Sequence, residues 1–219
     1  MTVIDRRDLL VGGIALAAIP SPGLAALPVP PGDRLGFDIF RNGHKIGTQI
    51  LTFERSPNGL TIRVVAQMAV KIAFVTVYRY SLRVTERWEG DQVVALDSTA
   101  NDNGTKYSVK GRREASGFVI EGSATPRYIA PANALPATHW NRRQLDGPWI
   151  NPQDGKLTRP TVTRSGMESV PTAPGKSVTA QKFVLGGDVQ WDMWYDQTPA
   201  WAGLLAKQKD GSQIRYVRQ

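Results

Sequence analysis

Alternation of apolar and polar residues between Leu60 and Trp88 constrains the fold of this chain more than any other feature. The even positions are almost all apolar, whereas the odd positions include Arg63 and Arg83. A side-chain period of two is typical of a β-strand that buries one face. A single strand of this length would run about 95 Å at about 3.3 Å per residue. Because the alternation weakens where both faces turn apolar, we predict a chain reversal within residues 69–77 and two long strands.

Turn sequences divide much of the remaining chain into further strands. Asn42-Gly43, between two apolar segments, is the strongest short-range hairpin signal. Similar turn signals recur at Ser56-Pro57-Asn58-Gly59, Glu89-Gly90-Asp91, Asn101-Asp102-Asn103-Gly104, Ala115-Ser116-Gly117 and Asp210-Gly211. The last strands are expected near residues 177–185, 189–196, 204–207 and 214–218.

The middle of the chain follows neither pattern. Residues 130–155 hold four prolines and show no alternation, and Thr138 could cap a short helix over residues 139–145. Long strands require a curled sheet, because long flat sheets are not stable alone. The predicted fold class is therefore mainly β. We expect a long curled antiparallel sheet that forms a half-open or partial β-barrel, with one short helix and a proline-rich loop in the middle.

The first 25 residues have the regions of a secretory signal peptide. Arg6 and Arg7 precede the uncharged run 9–19, and a small-residue site ends at Ala25, before Ala26. The paired arginines favour the twin-arginine (Tat) route over the Sec route. The apolar run spans only about half of a ~30 Å hydrocarbon core, which disfavours a stable transmembrane segment. We expect export by the Tat machinery, cleavage by signal peptidase, and one soluble periplasmic domain over residues 26–219.

The net charge and the absence of cysteine limit the kinds of reaction and of partner that this chain can have. The chain has 27 Lys and Arg against 19 Asp and Glu, a net charge of +8, and no cysteine. Disulfides, thiol nucleophiles and a lipidated cysteine are excluded. A basic surface in the cell envelope favours lipid phosphates or acidic polymers, and no nucleic acid partner is expected. The alternative is that the charge serves only solubility.

Two residues are candidates for catalysis. His139 could act as a general base near neutral pH, and Glu86 interrupts an apolar strand face, where a carboxylate must be paired or lie at a rim. The alternative for His139 is a backbone-bonded structural residue, and for Glu86 it is an ion pair with arginine. The spacing of the histidines and the absence of phosphate-binding or dinucleotide motifs predict neither a metal nor a cofactor.

Aromatic residues suggest a pocket, with packing under a loop as the alternative. Aromatic rings with a polar group are favoured where one end is dry and the other wet. Together with the two catalytic candidates, the candidate ligand-binding residues are Tyr80, Glu86, Trp88, His139, Trp140, Asn141, Trp194 and Tyr195. A related prediction is a single apolar row formed by Ile62, Val64, Met68, Tyr80, Leu82 and Val84. This row would fill a core or line a cavity, with Trp140 or Trp194 near its mouth.

Several short segments in a fixed order resemble a known family. They include residues 37–43, 78–80, 86–90, 138–141 and 185–188, followed by 194–196 and 210–212. The chain resembles exported proteobacterial proteins grouped as a domain of unknown function, and it is similar in layout to the lipoprotein-carrier type of half-open barrel. The resemblance implies a fold and export, and it implies no reaction.

Three hypotheses about function follow. The leading one is a non-catalytic binder of an apolar or amphipathic envelope ligand. The second is an enzyme that modifies an envelope glycan or lipid with His139 and Glu86, which requires that His139 face a carboxylate in a pocket. The third is a scaffold for an acidic envelope polymer, which requires Arg and Lys gathered on one face.

Overall fold

The structure is a computed structural model that describes residues 27–172 and 175–219. The predicted signal peptide and its cleavage site at Ala25 and Ala26 lie outside these residues. Sixteen strands are present in the described part of the chain: β1 (Arg34–Arg41), β2 (His44–Ser56), β3 (Gly59–Ile72), β4 (Val75–Glu89), β5 (Gln92–Asp102), β6 (Thr105–Glu114), β7 (Gly117–Gly122), β8 (Thr125–Ala130), β9 (Leu135–Pro136), β10 (Trp149–Ile150), β11 (Leu157–Thr158), β12 (Pro160–Thr172), β13 (Lys176–Gly187), β14 (Trp191–Asp196), β15 (Trp201–Lys207) and β16 (Gln213–Arg218). Two 3₁₀ helices span Pro31–Asp33 and Arg142–Asp146.

Thirteen strands form one curled sheet in the order β12-β13-β14-β15-β16-β1-β2-β3-β4-β5-β6-β7-β8. The first and last strands, β1 and β16, pair antiparallel and join the two meanders. β12 curls back to meet β16 in a parallel contact between Thr172 and Arg218. The sheet is thus bonded into a ring over part of its width and forms an unclosed barrel, which confirms the predicted fold class.

The β3–β4 hairpin confirms the strand pattern read from the alternation. Its register runs from Leu60 opposite Trp88 to Ile72 opposite Val75, and the chain reverses at Ala73 and Phe74. The even positions near the base of the hairpin are buried and the odd positions are exposed. The predicted type of turn also forms at Asn42 and Gly43, whose φ angles of 47° and 83° suit a tight hairpin.

Residues 131–159 pack against the concave face of the sheet, and we call them the interior segment. Trp140, Leu145, Trp149 and Ile150 of this segment belong to the same buried cluster as the inner residues of the long strands. The predicted short helix in the middle of the chain forms, but its predicted span over residues 139–145 and its predicted cap, Thr138, are wrong. A 3₁₀ helix begins at Arg142 instead and is capped by the side chain of Asn141, because the hydroxyl of Thr138 bonds to Glu86.

The sequence analysis did not predict β12. Most of its residues are exposed, so it lacks the alternation that marks a half-buried strand, and its pairing with β13 is irregular between Arg164 and Met167.

None of the helices in residues 27–172 and 175–219 has the length and hydropathy needed to cross a membrane.

Candidate functional site

A cavity of about 1060 Å³ opens at one end of the curled sheet. Its inner wall is apolar and is built by the concave faces of β3 and β4 together with the interior segment and β14. Representative wall residues are Val64, Met68, Leu82, Trp149 and Trp191. The opposite end of the sheet is filled by a packed core around Phe53, Trp88 and Trp140. The concave face is therefore closed at one end and open at the other.

The apolar row predicted from the sequence is divided between these two ends. Ile62 and Val84 are fully buried in the core, whereas Val64, Met68, Tyr80 and Leu82 line the cavity. The interior segment fills the part of the concave face that the cavity leaves. The row therefore both fills a core and lines a cavity.

Polar side chains surround the mouth of the cavity. Arg41 forms an ion pair with Asp210 at 2.5 Å between Nη2 and Oδ2, and Lys156 and Lys209 stand on other turns that line the opening. Tyr78 lies beside Asp102, and burial, together with this carboxylate, raises the pKa of the phenol. An apolar floor under a polar rim suits a ligand with an apolar body and a polar head.

Two tyrosines on the cavity wall remain neutral at ordinary pH. Burial raises the pKa of Tyr216 to about 12, and burial also raises the pKa of Tyr80. Their hydroxyls can therefore act as neutral hydrogen-bonding groups toward a ligand.

Glu86 is fully buried and holds the interior segment to the sheet. Its Oε2 accepts hydrogen bonds from the indoles of Trp88 at 2.8 Å and Trp140 at 3.1 Å, and its Oε1 accepts from the Thr138 hydroxyl at 2.5 Å. Burial is the largest influence on the carboxyl and raises its pKa, against the three hydrogen bonds. The prediction that Glu86 pairs with an arginine is wrong, because three neutral hydrogen-bond donors contact the carboxyl group instead.

His139 is clamped by Gln144 and enclosed by aromatic rings. The amide Nε2 of Gln144 lies 3.1 Å from Nδ1 of His139, and the Tyr195 hydroxyl donates to the backbone carbonyl of His139 at 2.9 Å. The rings of Trp191 and Trp201 lie 5.7 and 5.1 Å from the imidazole. In the described part of the chain no carboxylate bonds to this imidazole, so the pairing that the catalytic hypothesis requires is not formed.

His139 is expected to make the fold sensitive to acid. Burial lowers its pKa from 6.5 to about 4. The unfolded chain therefore takes up a proton before the folded chain does, and stability falls as the pH decreases from about 6.5 to about 4. At about 1.4 kcal/mol per pKa unit, the loss is at most about 3–4 kcal/mol.

The matched variant is His139→Asn, because asparagine is neutral and tolerates the positive φ of 70° at this position. Urea unfolding of both proteins across this pH range measures the difference. The wild type should lose more stability than the variant on acidification. Equal losses of stability on acidification in the two proteins would contradict the role of His139 in acid sensitivity.

The remaining candidates are spread over three places. Trp88 and Trp140 belong to the packed core, and Asn141 caps the 3₁₀ helix, where its buried Nδ2 has no hydrogen-bond partner in the described residues. Trp194 lies on the other face of β14, against Val170 and Ala202, and donates to Glu168. The expected place of Trp140 or Trp194 near the cavity mouth is therefore wrong.

Of the eight candidates, Tyr80 and His139 line the cavity. The sequence analysis did not select Trp149, Trp191, Tyr78 or Tyr216, although they line it too. The alternation in β14 places Trp191 opposite to Trp194, and this pattern could have found it. Trp149 lies in a segment without periodicity, so no local signal indicates its direction.

Basic residues line the convex face of the sheet. Five exposed side chains alternate with the buried positions of β4 and β6: Arg79, Arg83, Arg87, Lys106 and Lys110.

Within residues 27–172 and 175–219, no group of three His, Cys, Asp or Glu residues has the arrangement of a metal site.

Comparisons with known proteins give a family for this chain and a solved structure with a similar fold. Residues 37–219 match the family described as "Domain of unknown function (DUF6134)". The crystal structure of a β-barrel-like protein of domain of unknown function DUF1849 from Brucella abortus is similar, with a TM-score of 0.58 at 10% identity over 85% of this chain and 94% of that chain. At this identity the likeness concerns the fold alone. The search of curated proteins found no match.

Proposed function

We propose that this chain, which belongs to the DUF6134 family, is a non-catalytic binding protein that holds an apolar or amphipathic ligand in its open cavity. The observation that carries this proposal is the cavity of about 1060 Å³ with an apolar floor and a polar rim. Small-molecule sites are typically concave, mostly apolar and about 300–1000 Å³ in volume. The ligand class that fits is a lipid-like molecule with one or two acyl chains.

The binding mode follows from the two regions of the cavity. The acyl portion would lie against Met68, Leu82 and Trp191, where it removes apolar surface from water at about 25 cal/mol per Å². The head group would remain at the rim near Lys156 and Lys209. The ammonium group of Lys209 suits an anionic or zwitterionic head, whereas that of Lys156 already pairs with Asp154 at 3.3 Å.

Location in the cell envelope is part of this proposal. The twin arginines, apolar run and small-residue site in residues 1–26 support export through the Tat route and cleavage after Ala25. The periplasm would then be the compartment in which the ligand is met.

Tryptophan fluorescence tests the binding site. A fatty acid brominated in its acyl chain should quench the emission saturably, because Trp149 and Trp191 line the cavity. Trp191→Phe should remove about half of the quenchable emission, since it deletes one of these two rings from the apolar site.

Trp194→Phe is the matched control, because this ring lies on the other face of the same strand and should leave the quenching unchanged. Quenching that never saturates, or that depends on Trp194 and not on Trp191, would contradict the proposed site.

A further inference from the structure

We propose that the tip of the β3–β4 hairpin, residues 73–77, inserts into an anionic lipid bilayer and sets the mouth of the cavity on the membrane surface. This inference rests on the proposed function, because it names the source from which a lipid-like ligand enters. It follows from the exposure, position and charge of the tip.

The tip exposes an unusual concentration of apolar surface. Phe74 is fully exposed, and Val75 and Val77 are 65% and 44% exposed. Single exposed apolar residues are ordinary in soluble proteins, but three within four consecutive residues on a projecting turn form a contiguous apolar knob. Ala73 has a φ of 52°, which makes the turn tight and presents Phe74 at its end.

The tip stands at the rim of the cavity. Val70 and Tyr78 are opposite each other in the hairpin register immediately below the tip, and both line the cavity. Lys209 and Asp210 on the β15–β16 turn also border the opening. A bilayer that receives the tip would therefore face the opening through which an acyl chain must pass.

The charges beside the tip suit an anionic surface. Lys71 and Arg79 flank the apolar residues, and Lys106 lies on the β5–β6 hairpin that adjoins β4. In the described part of the chain, Lys71 and Arg79 form no ion pair within 4.0 Å. Peripheral proteins bind membranes through the same combination of inserted apolar residues and basic residues near the surface.

Other occupants fit the tip less well. An acidic polymer would use the basic convex face and has no need of Phe74. A stable interface with a second copy buries about 800 Å² on each partner, which three side chains on one turn do not supply. The bilayer uses both the apolar tip and the adjacent charges.

A site-specific label tests insertion. Because the chain has no cysteine, Phe74→Cys carries the only thiol and can be labelled with an environment-sensitive fluorophore. The fluorescence emission of the label should shift to the blue when vesicles of phosphatidylcholine with phosphatidylglycerol are added. The shift should be smaller with vesicles of phosphatidylcholine alone. The same label at Ile129→Cys should not shift, since Ile129 is exposed to 54% on β8, away from the tip. Equal shifts at both positions would overturn the proposal.

Sedimentation with the same vesicles measures the contribution of the native side chain. Phe74→Ser should weaken binding at least about tenfold, since burying one aromatic side chain is worth about 1.5–3 kcal/mol, and Ile129→Ser should not. All variants carry the same N-terminal residues, so the difference isolates the tip. Unchanged binding by Phe74→Ser overturns the proposal. The proposal is also overturned if Phe74→Ser loses self-association but keeps vesicle binding. It is overturned as well if an acidic polysaccharide abolishes vesicle binding equally in the wild type and in Phe74→Ser.

The brominated fatty acid separates this inference from the proposed function. Phe74→Ser should be quenched by dissolved fatty acid as the wild type is, because Phe74 does not line the cavity. If vesicle binding requires Phe74 but no fatty acid quenches either protein, membrane docking stands and the proposed ligand fails. If both proteins are quenched equally and bind vesicles equally, the ligand stands and the docking fails.

Discussion

Replacing Glu86 with alanine is expected to lower the free energy of unfolding by about 3–5 kcal/mol. The indoles of Trp88 and Trp140 would lose their acceptor inside the core, and a buried donor without a partner costs about 1–3 kcal/mol. The deleted side chain also leaves a void in a fully buried position, which adds to the loss. Urea unfolding measures the difference, and the melting temperature should fall by about 10 °C.

Glu86→Gln separates hydrogen bonding from charge. Its amide oxygen can accept from both indoles, and its N–H can donate to the Thr138 hydroxyl oxygen, so this variant should keep most of the stability. Burial raises the pKa of Glu86 above its usual 4.5. The wild type should therefore lose stability relative to Glu86→Gln as the pH rises from about 4.5 through the raised pKa, because the unfolded chain ionises first.

The control for position is Glu89→Ala, on the same strand and exposed. This change should alter stability by no more than about 0.5 kcal/mol. A Glu86→Ala variant as stable as Glu89→Ala would contradict the role of Glu86 in holding the interior segment.

The second large effect concerns the cavity itself. Met68→Glu is expected to weaken the binding of a fatty acid at least about a hundredfold, because the ligand would cover an ionised carboxylate that has no partner, at a cost of several kcal/mol. Met68 lies on the cavity wall and is partly exposed, so the empty cavity can hydrate the new charge and the fold should persist. Titration of the brominated fatty acid measures the affinity.

Gln67→Glu provides the matched control for this change. Gln67 neighbours Met68 on β3 but is exposed on the convex face, so the same charge is added outside the cavity. The affinity of Gln67→Glu for the fatty acid should stay within about twofold of that of the wild type. Equal weakening by both variants would mean that general charge, and not the cavity, governs binding.

The strands of the meander were predictable because their signals are local. Alternation from Leu60 to Trp88 and the Asn42-Gly43 turn each depend on neighbouring residues, and both predictions agree with the observed registers. β12 lacks this signal, because it is exposed along most of its length. The pairing of β1 with β16 joins strands that are far apart in the sequence, and no local pattern encodes such a contact.

The site was less predictable, since its groups come from distant segments. Glu86 was recognisable as an unusual carboxylate in an apolar row, but its partners Thr138 and Trp140 lie in a segment without periodicity. The prolines of this segment therefore predict a loop, although the segment fills the concave face. The same segment supplies Trp149 to the cavity, and its direction depends on tertiary packing.

Mass spectrometry of the protein isolated from the cell envelope tests the central claim most directly. Under native conditions the wild type should carry a lipid-like molecule in a one-to-one complex, released on denaturation, and Met68→Glu isolated in the same way should carry none. The bare mass of the chain in both proteins, together with no saturable quenching by any amphiphile, would contradict a ligand-binding function for this cavity.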